Sequence, residues 1–517
     1  MQAPNPTTAP PPAFPPGANP WQPVLGPRPP TAFERRWPGP LKPAAPVVAG
    51  AAAATGVVAA ASVPLDRPGL GWLVTGLAGA AALITLSRRD GYRPIQPLWA
   101  AATLALLGVG ALRAADWLFT LCVLTAAVTG ALAVARARSA PALVLAVAAV
   151  PAAALRALPW IAQGLSALAR RRRDGAPARI GAAAAVAALL VLVFGALFAT
   201  ADAAFAELVG RLLPDAEPPD SARGAFLFGA GAAGVLTAAY LLAGPPDLSG
   251  VRTPPGKSLR RVEWALPLVA VNAVFAVFVA VQLAVWFGGA AHVLRTAGLT
   301  YAEYARKGFW QLLVVTALTL GVLALAARWA PREGRADRIL VRALLGALAA
   351  LCLVVVASAL YRMHTYEEAY GFTRLRVLVS ICELWLGLVL AMVLVAVVRL
   401  RARWLPAAVT GSAVAALIGL AALNPDHFIA ERNVARYADS GRIDAGYLSR
   451  LSADAAPALD RLPDPLRGCV LGEIAADLAN EPDGWREWNL GRERAGDVLA
   501  AAPVTPGTWA DACGYRW

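Results

Sequence analysis

The sequence predicts an all-α fold, a polytopic transmembrane helical bundle of about 11 spans followed by a small α-helical extracytoplasmic cap. Two observations predict this class. The 517-residue chain is 58% hydrophobic and only 15% charged, whereas soluble domains are about 25% charged. Its apolar residues also fall into runs of about twenty, the length that crosses a hydrocarbon core of roughly 30 Å.

The chain begins with a Pro-rich region, residues 1–43. Residues 1–46 contain 16 prolines and little hydrophobic periodicity, a composition typical of solvated, partly polyproline segments. We expect this tail to be disordered and cytoplasmic. It could dock a proline-reading domain, although a solvated leader is the simpler interpretation. No charged segment follows Met1, which argues against a cleaved signal peptide.

A transmembrane domain is predicted over residues 44–423. Eleven apolar runs define its spans: 44–64, 69–87, 97–113, 116–135, 179–200, 221–243, 264–288, 309–328, 339–361, 375–398 and 405–423. Residues 141–168 are apolar too, but Pro151, Arg156 and Pro159 interrupt them. The spans alone therefore leave the path of this segment open.

The basic residues between spans predict the topology. They follow spans two, four, six, eight and ten and precede span five, whereas the alternate loops are acidic or poor in Lys and Arg. Because positive loops stay inside, the N-terminus is predicted to be cytoplasmic and the C-terminus extracytoplasmic. Both ends of residues 141–168 then lie inside. We therefore expect a re-entrant segment, a short double-crossing hairpin or an interfacial helix there, rather than a single span.

Residues 424–517, called the cap below, have a different composition. They contain 15 acidic and 10 basic residues, which gives the cap a net charge of −5. Since the whole chain carries +14, the residues before the cap carry +19. That excess lies in topology-setting loops, which argues against nucleic-acid binding. Breaks at Gly441, Pro463, Pro482 and Gly484 predict three to five short helices that rest on the membrane domain.

Common catalytic signatures are missing from the sequence. It contains no Walker loop, no GxSxG motif and no HExxH motif. It has only three His, and its five Cys form no CxxC motif. We therefore predict no catalytic residue, no metal and no cofactor. Cys469 and Cys513 are the two cysteines of the cap, and an oxidising exterior would make them a disulfide pair.

The densest polar cluster, YRMHTYEEAYGFTRLR, is predicted in an outer loop between spans nine and ten. It contains His364, Glu367, Glu368 and Arg374. On a helix both carboxylates would flank the imidazole, as in a metal or proton site. A single His with two carboxylates provides too few of the usual zinc ligands. The favoured interpretation is therefore a charged loop whose tyrosines form an interfacial aromatic belt.

A second cluster, YAEYARKGFW, leads into span eight. Its Arg306 and Lys307 could contact lipid phosphates while Phe309 and Trp310 enter the acyl region. We interpret these residues as interfacial anchors.

Few polar residues lie within the spans. Glu383 is about eight residues, or about 12 Å, into span ten. Its cost in hydrocarbon predicts that it faces the bundle interior beside a polar partner. Arg376, seven residues earlier, is the leading candidate, followed by Asn272 and Gln282 in span seven. Either a proton or ion site or a helix clamp would explain Glu383.

Several motifs together resemble one family. They are TYAEYARKGFWQL, RMHTYEEAYGFTRLR, NPDHFIAERNVAR, DAGYLSRLSADAAPALDRLP and WREWNLGRERA. With them, residues 180–500 resemble bacterial membrane proteins grouped as domain of unknown function 4173, related to group 4153. The resemblance implies the fold and a bacterial plasma membrane, and it supplies no catalytic residue. An apolar residue is expected at His364, which argues against a histidine-based metal site.

Three functions fit the sequence. The first is a membrane scaffold or regulatory and signalling partner, favoured by the Pro-rich tail and the cap. Almost level with it is a secondary transporter or permease that uses buried Glu383. The third is a membrane-embedded enzyme acting at the outer leaflet. The expected partners are the lipid bilayer and other membrane or envelope proteins.

Overall fold

The protein is an all-α polytopic helical bundle, as predicted. The computed structural model describes residues 35–89, 91–135, 139–171, 218–248, 251, 260–288, 301–331 and 334–504. Within them, sixteen α-helices form: α1 Pro46–Ser62, α2 Leu70–Ser87, α3 Pro97–Leu112, α4 Asp116–Val134, α5 Ala140–Arg171, α6 Pro218–Ala243, α7 Arg261–Gly288, α8 Tyr301–Trp329, α9 Arg335–Tyr370, α10 Arg374–Arg399, α11 Leu405–Leu423, α12 Pro425–Ser440, α13 Ala445–Leu448, α14 Ala456–Leu459, α15 Leu466–Asn480 and α16 Leu490–Ala501.

Ten of the eleven predicted spans coincide with helices α1–α4 and α6–α11. The remaining predicted span, residues 179–200, lies outside the described residues. Among the described helices, nine are long and apolar enough to cross a membrane, and α1 and α3 are shorter apolar helices. Both short helices begin with a proline in the first turn, where its missing N–H costs no hydrogen bond.

The spans form two helix groups. Helices α1, α2, α4, α5 and α6 pack around Val48, Leu86 and Tyr240, and α3 packs against α2 and α4. Helices α7–α10 pack around Leu345 and Cys352. Helix α11 contacts α10 in the second group and α3 and α4 in the first. It therefore joins the two groups.

The loops gather at two ends of the bundle. At one end, which we call the arginine-rich end, the N–H of Arg93 donates to the carbonyl of Leu242 at 3.0 Å. At the other, the cap end, the N–H of Leu70 donates to the carbonyl of Trp488 at 3.1 Å. Each bond joins segments that the charge alternation predicts on the same side of the membrane.

The folded region begins earlier than the predicted boundary at residue 44. Trp37 is only 2% exposed and its indole Nε1–H donates to the carbonyl of Gly244 at 2.7 Å. The Trp160 indole donates to the carbonyl of Lys42 at 2.9 Å. Residues 37–43, predicted as part of the disordered tail, are therefore fixed at the arginine-rich end because two buried indole N–H groups need acceptors there.

Helix α5 accounts for the segment predicted over residues 141–168. The Ser139 hydroxyl donates to the carbonyl of Val251, whereas Trp160 bonds Lys42. Both contacts lie at the arginine-rich end, although about 21 helical residues, or about 32 Å, separate them. The helix therefore lies across that end, as the interfacial alternative predicts. Its continuity through Pro151 and Pro159 argues against a hairpin.

Helix α9 corrects another prediction. It continues for 36 residues to Tyr370, so residues 361–370 are its last turns rather than part of a loop. Gly371 ends the helix with a φ of +81°, and only three residues separate α9 from α10. A Cβ at Gly371 would lie 2.3 Å from Asn433 Oδ1. A glycine is therefore required here by both the backbone conformation and the approach of the cap.

Candidate functional site

Glu383 lies inside the α7–α10 helix group, as predicted. It is 0% exposed. It shares one face of α10 with Ser380, whose hydroxyl donates to Glu367 Oε1 on α9 at 3.4 Å. One turn further along this face, a Cβ on Gly387 would lie 3.2 Å from Val356 Cγ1. Because residues three and four apart share a helix face, the Glu383 side chain points toward α9.

The prediction of a polar partner for Glu383 is wrong for the described part of the chain, where neither carboxyl oxygen has a hydrogen-bond partner. Arg376 instead donates to the carbonyls of Tyr370 and Gly371. The free carbonyls at the end of α9 compete successfully for its guanidinium. Glu383 is buried as predicted, but its carboxyl does not form the predicted hydrogen bond with Arg376.

The other two candidate partners also have different contacts. Asn272 Nδ2–H donates to the carbonyl of Leu268 at 2.8 Å and to that of Leu344 at 3.1 Å, so it links α7 to α9. Gln282 Oε1 accepts from the Ser358 hydroxyl and from Arg362 Nη2, both at 2.9 Å. These contacts satisfy polar groups within the helix group without involving Glu383.

Hydroxyl and thiol groups lie deeper in the same helix group. The Cys352 thiol of α9 lies near the hydroxyls of Thr316 and Thr319 on α8 and within electrostatic range of the Glu383 carboxyl. The remaining packing in this part of the bundle is apolar and includes Val355 and Met363. Glu383 therefore occupies a largely hydrocarbon environment with hydroxyl groups nearby.

The cluster around His364 does not form a convergent site. His364 Nε2 is 3.2 Å from Glu368 Oε1, and both side chains are exposed. Glu367 is buried and contacts Ser380 of α10. In the described part of the chain, no three His, Cys, Asp or Glu side chains lie close enough to hold a metal ion. The two carboxylates thus face different surroundings.

The predicted interfacial anchors lie on the first turns of α8. Trp310 is exposed there, as expected for a side chain directed toward lipid. The side chains of Arg306, Lys307 and Phe309 lie outside the described part of the structure. Their role as lipid contacts stays a prediction.

The main polar contact between cap and membrane domain is an ion pair that joins Arg374 to Asp426. Arg374 Nε donates to Asp426 Oδ1 at 2.9 Å, and Nη2 donates to Oδ2 at 2.5 Å. The N–H of Ser452 also donates to Oδ2, at 2.9 Å. Burial alone would raise the pKa of Asp426, but Arg374 and Ser452 hold it below its usual range.

A second buried carboxylate, Asp454, lies at the same junction. Its Oδ2 accepts from the N–H of Ala114 at 2.7 Å and from the Ser452 hydroxyl at 3.3 Å. Its Oδ1 has no hydrogen-bond partner among the described residues, and a Cβ on Gly491 would lie 2.2 Å from this oxygen. Burial raises the pKa of Asp454 to about 6, and the charge on Asp426 adds to this effect.

The last helix of the cap is fixed to α2 and α3. Asn489 Nδ2–H donates to the carbonyl of Gly110 at 2.7 Å, while its Oδ1 caps α16 by accepting from the N–H of Gly491 and Arg492. Arg492 Nη2 donates to the carbonyl of Pro68 at 2.9 Å. The cap therefore contacts the starts or ends of spans from both helix groups.

Sequence reasoning missed Asp426 and Asp454, although it placed Arg374 in a candidate cluster. Asp426 is in the first turn of α12, where a carboxylate ordinarily stabilises the helix dipole at the surface. Its pairing with a residue 52 positions away has no local signal. Both aspartates do lie in the cap motifs NPDHF and SADAA, which carried the family resemblance.

Cys469 of the predicted pair is buried in α15 and is disulfide-bonded. Cys513 lies outside the described residues, so the pairing itself stays a prediction. Cys122, Cys352 and Cys382 are free thiols within the spans.

Comparison with known proteins gives a family. No curated protein matches the chain, and no solved structure does. A family model described as Domain of unknown function (DUF4153) matches residues 101–462, which include α3 to α14 and both junction aspartates. The predicted relation to group 4153 is therefore confirmed, whereas the likeness to group 4173 stays a prediction. Because the match extends over more than half of the 517 residues, the chain belongs to the family of domain of unknown function 4153.

Proposed function

We propose that the protein is a scaffold or regulatory partner in a bacterial plasma membrane, related also to group 4173. In this proposal the N-terminus is cytoplasmic and the cap is extracytoplasmic. The observation that carries it is the attachment of the cap to both helix groups, through Arg374 of α10 and through Ala114 and Gly110 beside α3. A partner bound to the cap would therefore act on both groups together.

The type of contact supports a rigid attachment. Asp426, Asp454 and Asn489 are all buried, and their hydrogen bonds join segments more than 50 residues apart. Buried polar groups fix one arrangement because any other would leave them unpaired. Such a cap can present a fixed surface to other envelope proteins.

The orientation can be tested by labelling single cysteines in intact cells. Ala435 of the cap and Ala402 between α10 and α11 are both exposed. We expect a membrane-impermeant maleimide to label Ala435→Cys in intact cells, and Ala402→Cys only after permeabilisation. The reverse pattern would place the cap in the cytoplasm and overturn the orientation.

The scaffold function can be tested by photo-crosslinking from the cap. We expect a photoreactive residue at Arg494, exposed on α16, to give a discrete protein adduct. The same residue at Leu77, exposed on α2, should give lipid adducts. Asp426→Asn should weaken the Arg494 adduct because it loosens the junction. If Arg494 gives lipid adducts alone, the scaffold proposal is wrong.

The two alternatives rest on different residues. A permease is favoured by one observation, the unpartnered Glu383 carboxyl inside a span. A solute flux in reconstituted vesicles that Glu383→Gln abolishes would establish it. An enzyme would require His364, Glu367 and Glu368 to converge, but Glu367 and Glu368 contact different groups. The geometry therefore supports the enzyme least.

A further inference from the structure

We propose that Glu383 is a reversible proton-binding site, which exchanges its proton with the cap end of the bundle through Ser380 and Glu367. This site is independent of the scaffold function. The relevant geometry is a row of protonatable groups at the α9–α10 contact, in which Ser380 bonds Glu367 at 3.4 Å and precedes Glu383 by one helical turn.

The contacts of Glu383 are not those of a structural clamp. A structural clamp would hold Glu383 through hydrogen bonds, yet neither carboxyl oxygen has one to any residue that the structure describes. Buried polar groups in folded proteins are nearly always paired, so an unpaired one calls for a role beyond packing. Ionisable residues inside spans are rare and generally belong to ion or proton pathways.

The charged and titratable neighbours of Glu383 identify its ligand. The arginines near this end of α9 and α10 have other partners: Arg362 donates to Gln282, and Arg376 lies over the Tyr366 ring at 4.4 Å. The thiols of Cys352 and Cys382 are within electrostatic range of Glu383 and provide no positive charge. Gln282 of α7 and the threonines of α8 do not titrate, and the sequence of α11 contains no charged residue. Among the groups that the structure describes around Glu383, none is a free cation, and a proton is the ligand that can neutralise this carboxylate.

Glu367 gives this site access to the cap end. Glu367 is buried but lies within one turn of the end of α9 at Tyr370. Its exposed neighbour Glu368 faces a different side. Glu367 can thus take a proton from water at the cap end and pass it inward, whereas Glu368 does not face α10.

The transfer balances without any other reactant. The Glu367 carboxyl gives its proton to the Ser380 oxygen. When the Glu383 side chain turns toward Ser380 on the shared helix face, the Ser380 hydroxyl gives its own proton to the Glu383 carboxylate. Glu367 is then reprotonated by water at the cap end. One O–H bond breaks and one forms at each stage, and no group is oxidised or reduced.

Infrared spectroscopy of the full-length protein in lipid nanodiscs can test the site. The carbonyl band of protonated Glu383 is identified by its loss in Glu383→Gln. We expect this band to decrease as the pH is raised, because deprotonation removes the carboxylic acid carbonyl. After transfer to deuterated buffer, its exchange should slow by on the order of 100-fold in Glu367→Gln, a typical contribution of one positioned proton-transfer group. Glu368→Gln is the matched control and should exchange like the wild type.

Three outcomes would overturn the proposal. They are a Glu383 band that does not change with pH, the absence of any such band in the wild type, and equal exchange in Glu367→Gln and Glu368→Gln. Ser380→Ala provides a second test if Glu367→Gln does not fold, because it removes the intervening hydroxyl and should slow the exchange as well. Circular dichroism of each variant verifies that the helices are intact.

Discussion

Arg374, at the first residue of α10, and Asp426, in the first turn of the cap, form a two-point ion pair in which Asp426 is completely buried. The pair connects a transmembrane helix to the cap directly. Two parallel N–H···O bonds also fix the relative angle of the two groups. Small changes at the start of α10 are therefore transmitted to α12.

Removing the charge of Asp426 should destabilise this junction strongly. We expect Asp426→Asn to lower the free energy of unfolding by about 3 kcal/mol, because it leaves Arg374 without its counter-charge. The exposed pair of Arg461 and Glu431 offers a control, and Glu431→Gln should cost no more than about 1 kcal/mol. Thermal unfolding in detergent measures both. Equal losses in the two variants would contradict the assigned role of the buried pair.

Asp454 should make the cap less stable as the pH rises. Its pKa is raised from 3.8 to about 6 in the folded protein, so its stabilising contribution is complete below about pH 4 and is lost as the pH passes about 6. We expect the wild type to lose roughly 3 kcal/mol between about pH 4 and pH 7.5 from this group. The shift of Asp426 acts in the opposite direction, but only near and below its unfolded pKa of 3.8.

Asp454→Asn tests that pH dependence because it keeps the shape of the side chain without its charge. We expect its melting temperature to be nearly constant between about pH 5 and pH 7.5, whereas that of the wild type falls. A variant that retains the full slope of the wild type would assign the effect to another group.

Glu383 and Gln282 should respond oppositely to replacement by leucine. Glu383→Leu removes a buried carboxyl without partners, so we expect stability to rise by about 1–3 kcal/mol. Gln282→Leu removes the acceptor of Ser358 and Arg362 and should lower stability by a similar amount. Melting temperatures of both variants in the same detergent provide the comparison. A large loss in Glu383→Leu would show that this carboxyl does hold the helices together.

Gly371 should not tolerate a side chain. Gly371→Ala combines a positive φ with a Cβ that would lie 2.3 Å from Asn433 Oδ1, and we expect a loss of about 1–3 kcal/mol. Gly411 of α11 has open space around its Cα, so Gly411→Ala should be neutral or stabilise by about 0.5–1 kcal/mol. Chemical denaturation of both variants distinguishes a local requirement from a general effect of alanine.

The cap should lose stability on reduction. A bond between Cys469 and Cys513 would stabilise it by roughly 3–4 kcal/mol in the chain-entropy model. Peptide mapping without reductant should recover the two cysteines as one linked peptide, and Cys469→Ser should remove the effect of reductant on melting. Cys382→Ser, at a free thiol of α10, should not. Recovery of Cys513 as an alkylated thiol would refute the pairing.

The sequence predicted the spans well because membrane thickness imposes a length that hydrophobic runs reveal directly. It also constrained α5, since the charges on either side of residues 141–168 required both ends to lie on one side. It could not predict the partners of polar groups. Periodicity placed Arg376 and Glu383 on nearly one face, yet the free carbonyls that end α9 bind Arg376. The Arg374–Asp426 pair depends on how the cap folds back, which no local pattern records.

The length of α9 gives this helix the geometry of a lever. Its last nine residues, Arg362–Tyr370, extend about 14 Å beyond the predicted end of span nine. Arg436 of the cap holds their final carbonyls. A helix tilt of about 20°, common where hydrophobic length exceeds bilayer thickness, would displace the tip of this extension sideways by about 5 Å. A change in bilayer thickness that alters the tilt would thus reach the cap as a lateral movement.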